Sequence, residues 1–524
     1  MENKGKVFKN TYIVSFFTFL SRIFGYLRDA AIFIFINNSQ GALDSFFVAF
    51  RIPNFFRRIF GEGALSVAYI PVLTEYKAQN NNKELKEFVD SSVSIIALVL
   101  LLVTLIGVIL APLLIYLIAP GFVNSVNNQM ELTTTLLQIT FPYMLFICLT
   151  ALAGSILNTY NKFAIPAFTG VILNVVLIFA AVYGAAFFEE PVLALAVGVF
   201  VAGILQLGFQ IYPIYKLGLF PKLKIRPSHP GIKKIKELFL PIIFGSSVTQ
   251  INIIIDTIIA SFLITGSISW LYISDRFVEL PLALFGIAIA TVILPKLSLL
   301  FATKKTKDFN QVVNWAIKMS IMVSIPTVIG LIILSKPILI SLLNYKEFSL
   351  YDVDMTSISL IAFSIGLPAM IGVKILITIF YSMKKTSFPA KVAVIAVFFN
   401  VTLNLILVVY LSRINFTGVH AGLSIATSFA AYVNFFLLLR EALNQKYIQI
   451  EKNTFIFIFK ILIASFIMFI VLINFNLDIN DWASEKFYVR VINLLSIIFS
   501  GIFVFFISLI LFKIKKSEII PNNI

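Results

Sequence analysis

Charge is scarce in this chain, and cysteine and histidine are scarcer still. Asp, Glu, Lys and Arg make up 13% of its 524 residues, about half the share of a soluble domain, while apolar residues make up 59%. With a mean hydropathy of +0.97, an ordinary soluble domain is excluded. The single cysteine, Cys148, sits in an apolar stretch, so there is no disulfide framework. The two histidines, His229 and His420, are far apart and have no cysteine partners, so a zinc site is not expected. There is neither a Gly-rich phosphate loop ending in Lys-Ser/Thr nor a Gly-x-Ser-x-Gly elbow. Nucleotide hydrolysis and hydrolase chemistry therefore have no basis in the sequence, and no enzyme activity is expected.

Long apolar runs are what the chain has instead. Fourteen are long enough to cross a bilayer, at about 11–37, 43–72, 91–119, 132–159, 166–188, 191–218, 238–265, 267–300, 310–335, 354–382, 389–411, 419–443, 454–474 and 488–513. The pattern predicts an all-α polytopic membrane protein, with tilted or kinked helices where runs are longest. The first run is too long for a removable signal peptide and is interrupted by Arg22 and Arg28. The 54 phenylalanines read as lipid-facing and packing surface.

The net charge of +16 raises nucleic acid as a partner, but its distribution argues against it. Basic residues occupy alternate loops: Lys77, Lys83 and Lys86 after the second run, Lys222 to Lys236 after the sixth, Lys304 to Lys307 after the eighth. The loops between them, such as NNSQGALD and FFEEP, have none. By the positive-inside rule both termini are cytoplasmic and the basic loops lie beside anionic membrane lipid.

Landmarks recur at a spacing of about 225 residues. IPVLTEY carries Pro71 and LPKLSLL carries Pro295; FPYMLF carries Pro142 and GLPAMI carries Pro368. NTYNKFAIPAF carries Pro166 and SMKKTSFPAK carries Pro389; Arg51 and Pro53 correspond to Arg276 and Pro281 in SDRFVELP. Six runs separate the copies, and an even shift preserves orientation, so the halves are parallel repeats. The expected organisation is two six-helix lobes, 1–224 and 225–445, plus a C-terminal helix pair within 446–524. Secondary transporters place substrate where the repeats meet.

Into this apolar background the first two runs put Arg22, Arg28, Asp29, Asp44, Arg51, Arg57, Arg58 and Glu62. An ionisable side chain at a helix centre costs roughly 2.5–3.5 kcal/mol to insert, so these residues imply a polar, protein-lined cavity. Arg22 and Asp29 are seven apart, as are Asp44, Arg51 and Arg58, which puts each set near one helix face. Glu62 follows Arg58 by four, a spacing for an intrahelical pair that only staples the structure. In the eighth run Asp275, Arg276 and Glu279 cluster, and Lys374 stands alone in the tenth. Arginines outnumber acids, so the cavity is cationic; arginine's planar fork matches phosphate oxygens. Thr249, Asn252 and Asp256 form a polar stripe in the seventh run. It reads first as an interhelical contact and second as a site for a coupling cation, Na+ or H+. No other cofactor is expected.

SRIFGYLRD, DSFFVAFRIPNFFRRIFGEGALSVAYIPVLTEY and SWLYISDRFVELPLALFGIAIATVILPKLS closely resemble the MurJ (MviN) family of lipid II flippases, in the multidrug/oligosaccharidyl-lipid/polysaccharide exporter superfamily. The resemblance spans the chain, although beyond about residue 445 it is architectural only. It implies translocation of undecaprenyl-pyrophosphate carrying a disaccharide-pentapeptide across the bacterial inner membrane. It implies substrate-binding roles for Arg22, Arg28, Arg57 and Arg276, and supporting or gating roles for Asp29, Asp44, Arg51, Arg58, Glu62, Asp275, Glu279 and Lys374. Arg51 stands where many members have lysine. The last two helices are implied to form a groove for the polyprenyl tail. A monomer working beside the peptidoglycan synthesis machinery is the expected state. Two alternatives remain: a flippase for another polyprenyl-pyrophosphate-linked glycan, or a drug/cation antiporter of the same fold, for which this cavity has the wrong charge.

Overall fold

A computed structural model describes residues 4–36, 41–58, 65–125, 127–475, 478–514 and 516–519. Among these residues the regular structure is helical. Contacts divide the chain into two compact units, Met1–Ile268 and Ser269–Ile524.

The first unit holds α1 (Lys4–Phe35), α2 (Ala42–Phe56), α3 (Leu65–Ala78), α4 (Asn82–Ile109), α5 (Ala111–Ile118), α6 (Gln129–Thr140), α7 (Tyr143–Thr159), α8 (Ala164–Val182), α9 (Leu193–Lys216) and α10 (Pro230–Ala260). Local chemistry starts several of them. The Asn81 side chain accepts the Lys83 and Glu84 N–H groups and so caps α4. Pro112 at the start of α5 lacks the N–H that would continue α4, so the third apolar run bends there. The His229 ring caps α10, whose first residue is Pro230. A buried core of Tyr69, Val72, Phe88, Val89, Leu152, Ile156 and Ile235 joins α3, α4, α7 and α10. The Tyr69 hydroxyl pairs with Ser92 Oγ at 3.1 Å, so the ring is buried without an orphaned polar atom. Because α10 packs on α3, α4 and α5, the division by contacts falls near 268. The division by repeat, at 224/225, is a separate property of the sequence.

The second unit holds α11 (Ser267–Pro281, starting at the boundary), α12 (Ala288–Ala302), α13 (Thr306–Ile333), α14 (Ser335–Leu343), α15 (Leu350–Ser382), α16 (Ser387–Arg413), α17 (Ala421–Asn444), α18 (Lys452–Ile473), α19 (Ile479–Ser484), α20 (Phe487–Leu511) and α21 (Lys516–Ile519). Buried α15 is its axis, packed by α12, α13 and α17. Lipid removes the hydrophobic drive between helices, so close packing of small residues replaces it. At Gly366 an added Cβ would lie 2.8 Å from Ser428 Cα, so only glycine admits α17 there. The C-terminal pair α18 and α20 packs on α13 and α14. Asn314 bonds Gln449 O, Glu451 N and Thr454 Oγ1 at 2.7 to 3.0 Å. Buried Arg490 donates to the carbonyls of Ile340, Asn344 and Glu485.

Eleven helices among the described residues are long and apolar enough to cross a membrane, and they coincide with eleven of the fourteen expected runs. The first, second and seventh are not among them, so a count of fourteen is not reached by this measure. Among the described residues, Arg22, Arg28 and Asp29 dilute α1. The second run is described as α2 and α3, each under 18 residues, with 59–64 outside the described residues. In the seventh, the side chains of 240–249 lie outside them, which leaves the apolar stretch Gln250–Ala260. Three landmark pairs fall at matching places: Pro71 and Pro295 inside α3 and α12, Pro53 and Pro281 inside α2 and α11, and Pro166 and Pro389 as third residues of α8 and α16. Pro142 and Pro368 differ, since the chain breaks between α6 and α7 while α15 continues through Pro368.

Candidate functional site

In the first unit, α1 packs on α8 so closely that a Cβ on Gly170 would lie 2.8 Å from Ser21 Oγ. That approach places Asn174 of α8 against Arg28. The Arg28 guanidinium donates through Nε and Nη2 to Asp29 Oδ1, at 2.9 and 2.5 Å, and through Nη1 to Asn174 Oδ1 at 3.0 Å. Asn174 Nδ2 returns to the Ser21 carbonyl at 2.9 Å. Arg28, Asp29 and Asn174 are all buried. Arg22, two turns earlier, is exposed and forms no ion pair with another described residue.

On α2, Asp44 is buried and accepts the Gly266 N–H at 2.6 Å. Gly266 has φ +97° and immediately precedes α11, so the carboxylate sits at a helix N-terminus, where the dipole favours it. Arg51 donates to Thr257 Oγ1 and to the Ile253 carbonyl, tying α2 to α10. After Phe56 the backbone adopts π geometry at Arg57 and Arg58. Arg57 Nε donates to Asn54 Oδ1 at 2.8 Å, and both arginines are half-buried. Glu62 lies outside the described residues, so the Arg58–Glu62 pairing is not described. The Thr249 side chain is outside them too. Asn252 Nδ2 approaches Asp256 Oδ2 at 3.4 Å, and buried Asn252 Oδ1 has no hydrogen-bond partner among the described residues.

In the second unit, Arg276 Nη1 pairs with Glu279 Oε2 at 2.9 Å within α11, beside exposed Asp275. A π-helical turn, Leu282–Ile287, follows Pro281. Such turns are frequent at functional sites, and this one matches the π geometry after Pro53. Lys374 is exposed, although most of α15 is buried.

Asn174, Thr257 and the Gly266 N–H are not among the residues expected from the sequence. Asn174 had a readable signal, because an amide in the middle of an apolar run requires a partner. Thr257, a common residue beside Asp256, had none.

A family profile described as lipid II flippase MurJ matches residues 39–504. The chain belongs to this family. Members are lipid transporters, not enzymes. A relative from Vibrio cholerae serotype O1, named probable lipid II flippase MurJ, is 38% identical over 524 residues, covering 98% of each chain. The lipid II flippase MurJ of Burkholderia cenocepacia is 35% identical over 438 residues, covering 82% of this chain and 83% of its own. The solved structure of a lipid II flippase MurJ in an inward closed conformation matches with a TM-score of 0.77 at 28% identity, covering 96% of this chain and 99% of that one. An inward-facing multidrug resistance MATE transporter matches at TM-score 0.63 and 16% identity, covering 80% of this chain and 94% of that one; this likeness is one of fold.

Proposed function

We propose that this chain is a lipid II flippase, moving undecaprenyl-pyrophosphate-linked disaccharide-pentapeptide from the cytoplasmic to the periplasmic leaflet of the inner membrane by alternating access through a cationic cavity. The observation that carries the reading is the full-length similarity to lipid II flippases together with the concentration of arginines in α1, α2 and α11. Exposed Arg22 and half-buried Arg57 and Arg276 supply phosphate-binding forks. Arg28 is held by Asp29 and Asn174, so it fixes local geometry and field, and reaches phosphate only by exchanging a partner. The α18–α20 pair takes the polyprenyl tail. Both termini face the cytoplasm, and the working unit is a monomer.

The energy source belongs to the same proposal. Moving one elementary charge across the membrane is worth about 2.3 kcal/mol per 100 mV. With a negative cytoplasm, excess cavity arginines draw the empty carrier back to its inward-open state, so the membrane potential resets it. Coupling to a monovalent cation is the second reading, favoured by Asp256 beside Asn252, whose Oδ1 has no hydrogen-bond partner among the described residues. The deciding experiment is complementation of a strain depleted of its own lipid II flippase. Growth and restored lipid II accessibility at the outer leaflet support the function; full-level expression without either rules it out. Collapsing the potential at constant ATP then separates voltage from ion coupling.

A further inference from the structure

Residues 217–229, which join α9 to α10, are the most basic loop of the chain, and the structure shows how they are held. Lys86, Asp90 and Ser94 fall at intervals of four on one face of α4. Lys86 Nζ donates to the Phe220 carbonyl at 2.8 Å. Asp90 Oδ1 accepts the Lys222 N–H at 2.8 Å, and Ser94 Oγ accepts the Lys224 N–H at 2.9 Å. Glu87 Oε1 takes the Lys224 ammonium at 2.8 Å and also pairs with Arg226. The segment is thus an extended strap laid along two turns of α4.

Its other side is apolar and open. Leu223 is 88% exposed and Ile225 51%, alternating with the cations, and Phe220 at the start of the strap is 45% exposed. Tyr212 and Tyr215, at the neighbouring end of α9, are also exposed. The strap's hydrogen bonds to α4 end at Ser94, one turn before Leu98, where the exposed apolar band of α4 begins. Three observations therefore coincide: exposed apolar side chains on the strap, exposed tyrosines at the neighbouring end of α9, and strap backbone groups satisfied by α4 beside its apolar band, as a segment at a membrane interface requires. Lys222, Lys233 and Lys236 are exposed and form no ion pair with another described residue.

We propose that residues 219–226 are an interfacial anchor. Leu223 and Ile225 insert at the headgroup–acyl boundary of the leaflet on the basic-loop side, and Lys222, Lys233 and Lys236 bind headgroups of anionic phospholipid. The anchor fixes the ends of α4, α9 and α10 at one bilayer depth. It does not depend on the transported substrate.

The test uses full-length protein with one label at Leu223→Cys or, as a water-facing control in the same loop, Ser228→Cys; wild type with buried Cys148 checks that background labelling is negligible. Each is placed in nanodiscs of phosphatidylcholine with and without about one-third phosphatidylglycerol. Position 223 should be quenched by lipid brominated near the glycerol end and shielded from aqueous iodide, with position 228 the reverse. Anionic lipid should raise lipid quenching at 223 by roughly twofold, and Lys222→Gln, Lys233→Gln and Lys236→Gln together should remove that rise. Iodide access at 223 equal to that at 228 overturns the proposal. So does shielding from both quenchers, which means protein covers the strap, and so does indifference to phosphatidylglycerol.

Discussion

The Arg28 and Asp29 side chains are 10% and 1% exposed, whereas those of Arg276 and Glu279 are 26% and 46% exposed. Both arginines stand in runs that the sequence marks as cavity-lining, and both have an acid within hydrogen-bonding distance. Burial separates them. A buried pair contributes little net stability, yet removing one partner costs about 3–5 kcal/mol because the other charge is left behind. A half-exposed pair is worth about 0–1 kcal/mol, and solvent screens what remains when it breaks. The lesson is that the buried Arg28 pair is costly to break and the half-exposed Arg276 pair is not, which is what the proposed substrate-binding role of Arg276 requires.

The sharpest way to break this comparison is Arg28→Ala. Asp29 loses its guanidinium and Asn174 loses its donor, so the protein should be destabilised by about 3–5 kcal/mol and its level in the membrane should fall. Replacing Arg28 and Asp29 together by leucine should recover most of that stability without recovering transport. Thermal unfolding in detergent reads the first effect and complementation the second. A single alanine variant as stable as wild type would mean that the pair carries no architectural weight.

Arg276→Ala should do the opposite. Stability should stay within about 1 kcal/mol of wild type, since Glu279 is solvated. Flipping should be lost, and Arg276→Lys should also be poor, because an ammonium cannot reproduce two parallel hydrogen bonds to phosphate. Normal growth on Arg276→Ala at normal protein level would remove this residue from the site.

How far the sequence could go follows from the range of the interactions. Apolar runs are local, and eleven of them coincide with helices long and apolar enough to cross a membrane among the described residues, while the first, second and seventh are helical as well. Pro53 and Pro281, read as repeat landmarks, are each followed by π geometry. Partner choice is not local. Arg28 meets Asn174, 146 residues on, and Arg51 meets Thr257, 206 residues on. A single neutral side chain in an apolar run makes no periodic signal, so neither partner could be paired from sequence. Asp44 was beyond reach for another reason, since its partner is a backbone N–H. The strap was half legible: its lysines were read as a basic loop, while the period-two alternation with Leu223 and Ile225 was overlooked.

Thr257→Val probes a contact between the two extremes. Arg51 is half-buried and keeps the Ile253 carbonyl, so loss of the hydroxyl should cost only about 1 kcal/mol. Measured by thermal unfolding, the drop should be well below that of Arg28→Ala. An equal drop would show that burial is not what ranks these arginines.

The smallest effect is expected outside the membrane, at His229. Burial against Tyr76 and Phe88 is the main reason its imidazole sits below the usual histidine range; Arg226 and Lys224 push the same way, and Glu87 opposes them. Its Nδ1 accepts the Gly231 N–H at 3.1 Å, which requires the neutral ring and caps α10. A depressed histidine value means that the unfolded chain binds the proton first as pH falls. The contribution of the neutral cap is therefore complete above the unfolded value near 6.5 and is lost as pH falls through the lower folded value. Unfolding temperature should drop between neutral pH and about pH 5, before most carboxylates titrate. His229→Asn keeps a capping oxygen and removes the titration, so its profile should be flatter over that interval. Parallel profiles for the two proteins would show that His229 does not couple protonation to the junction between the strap and α10.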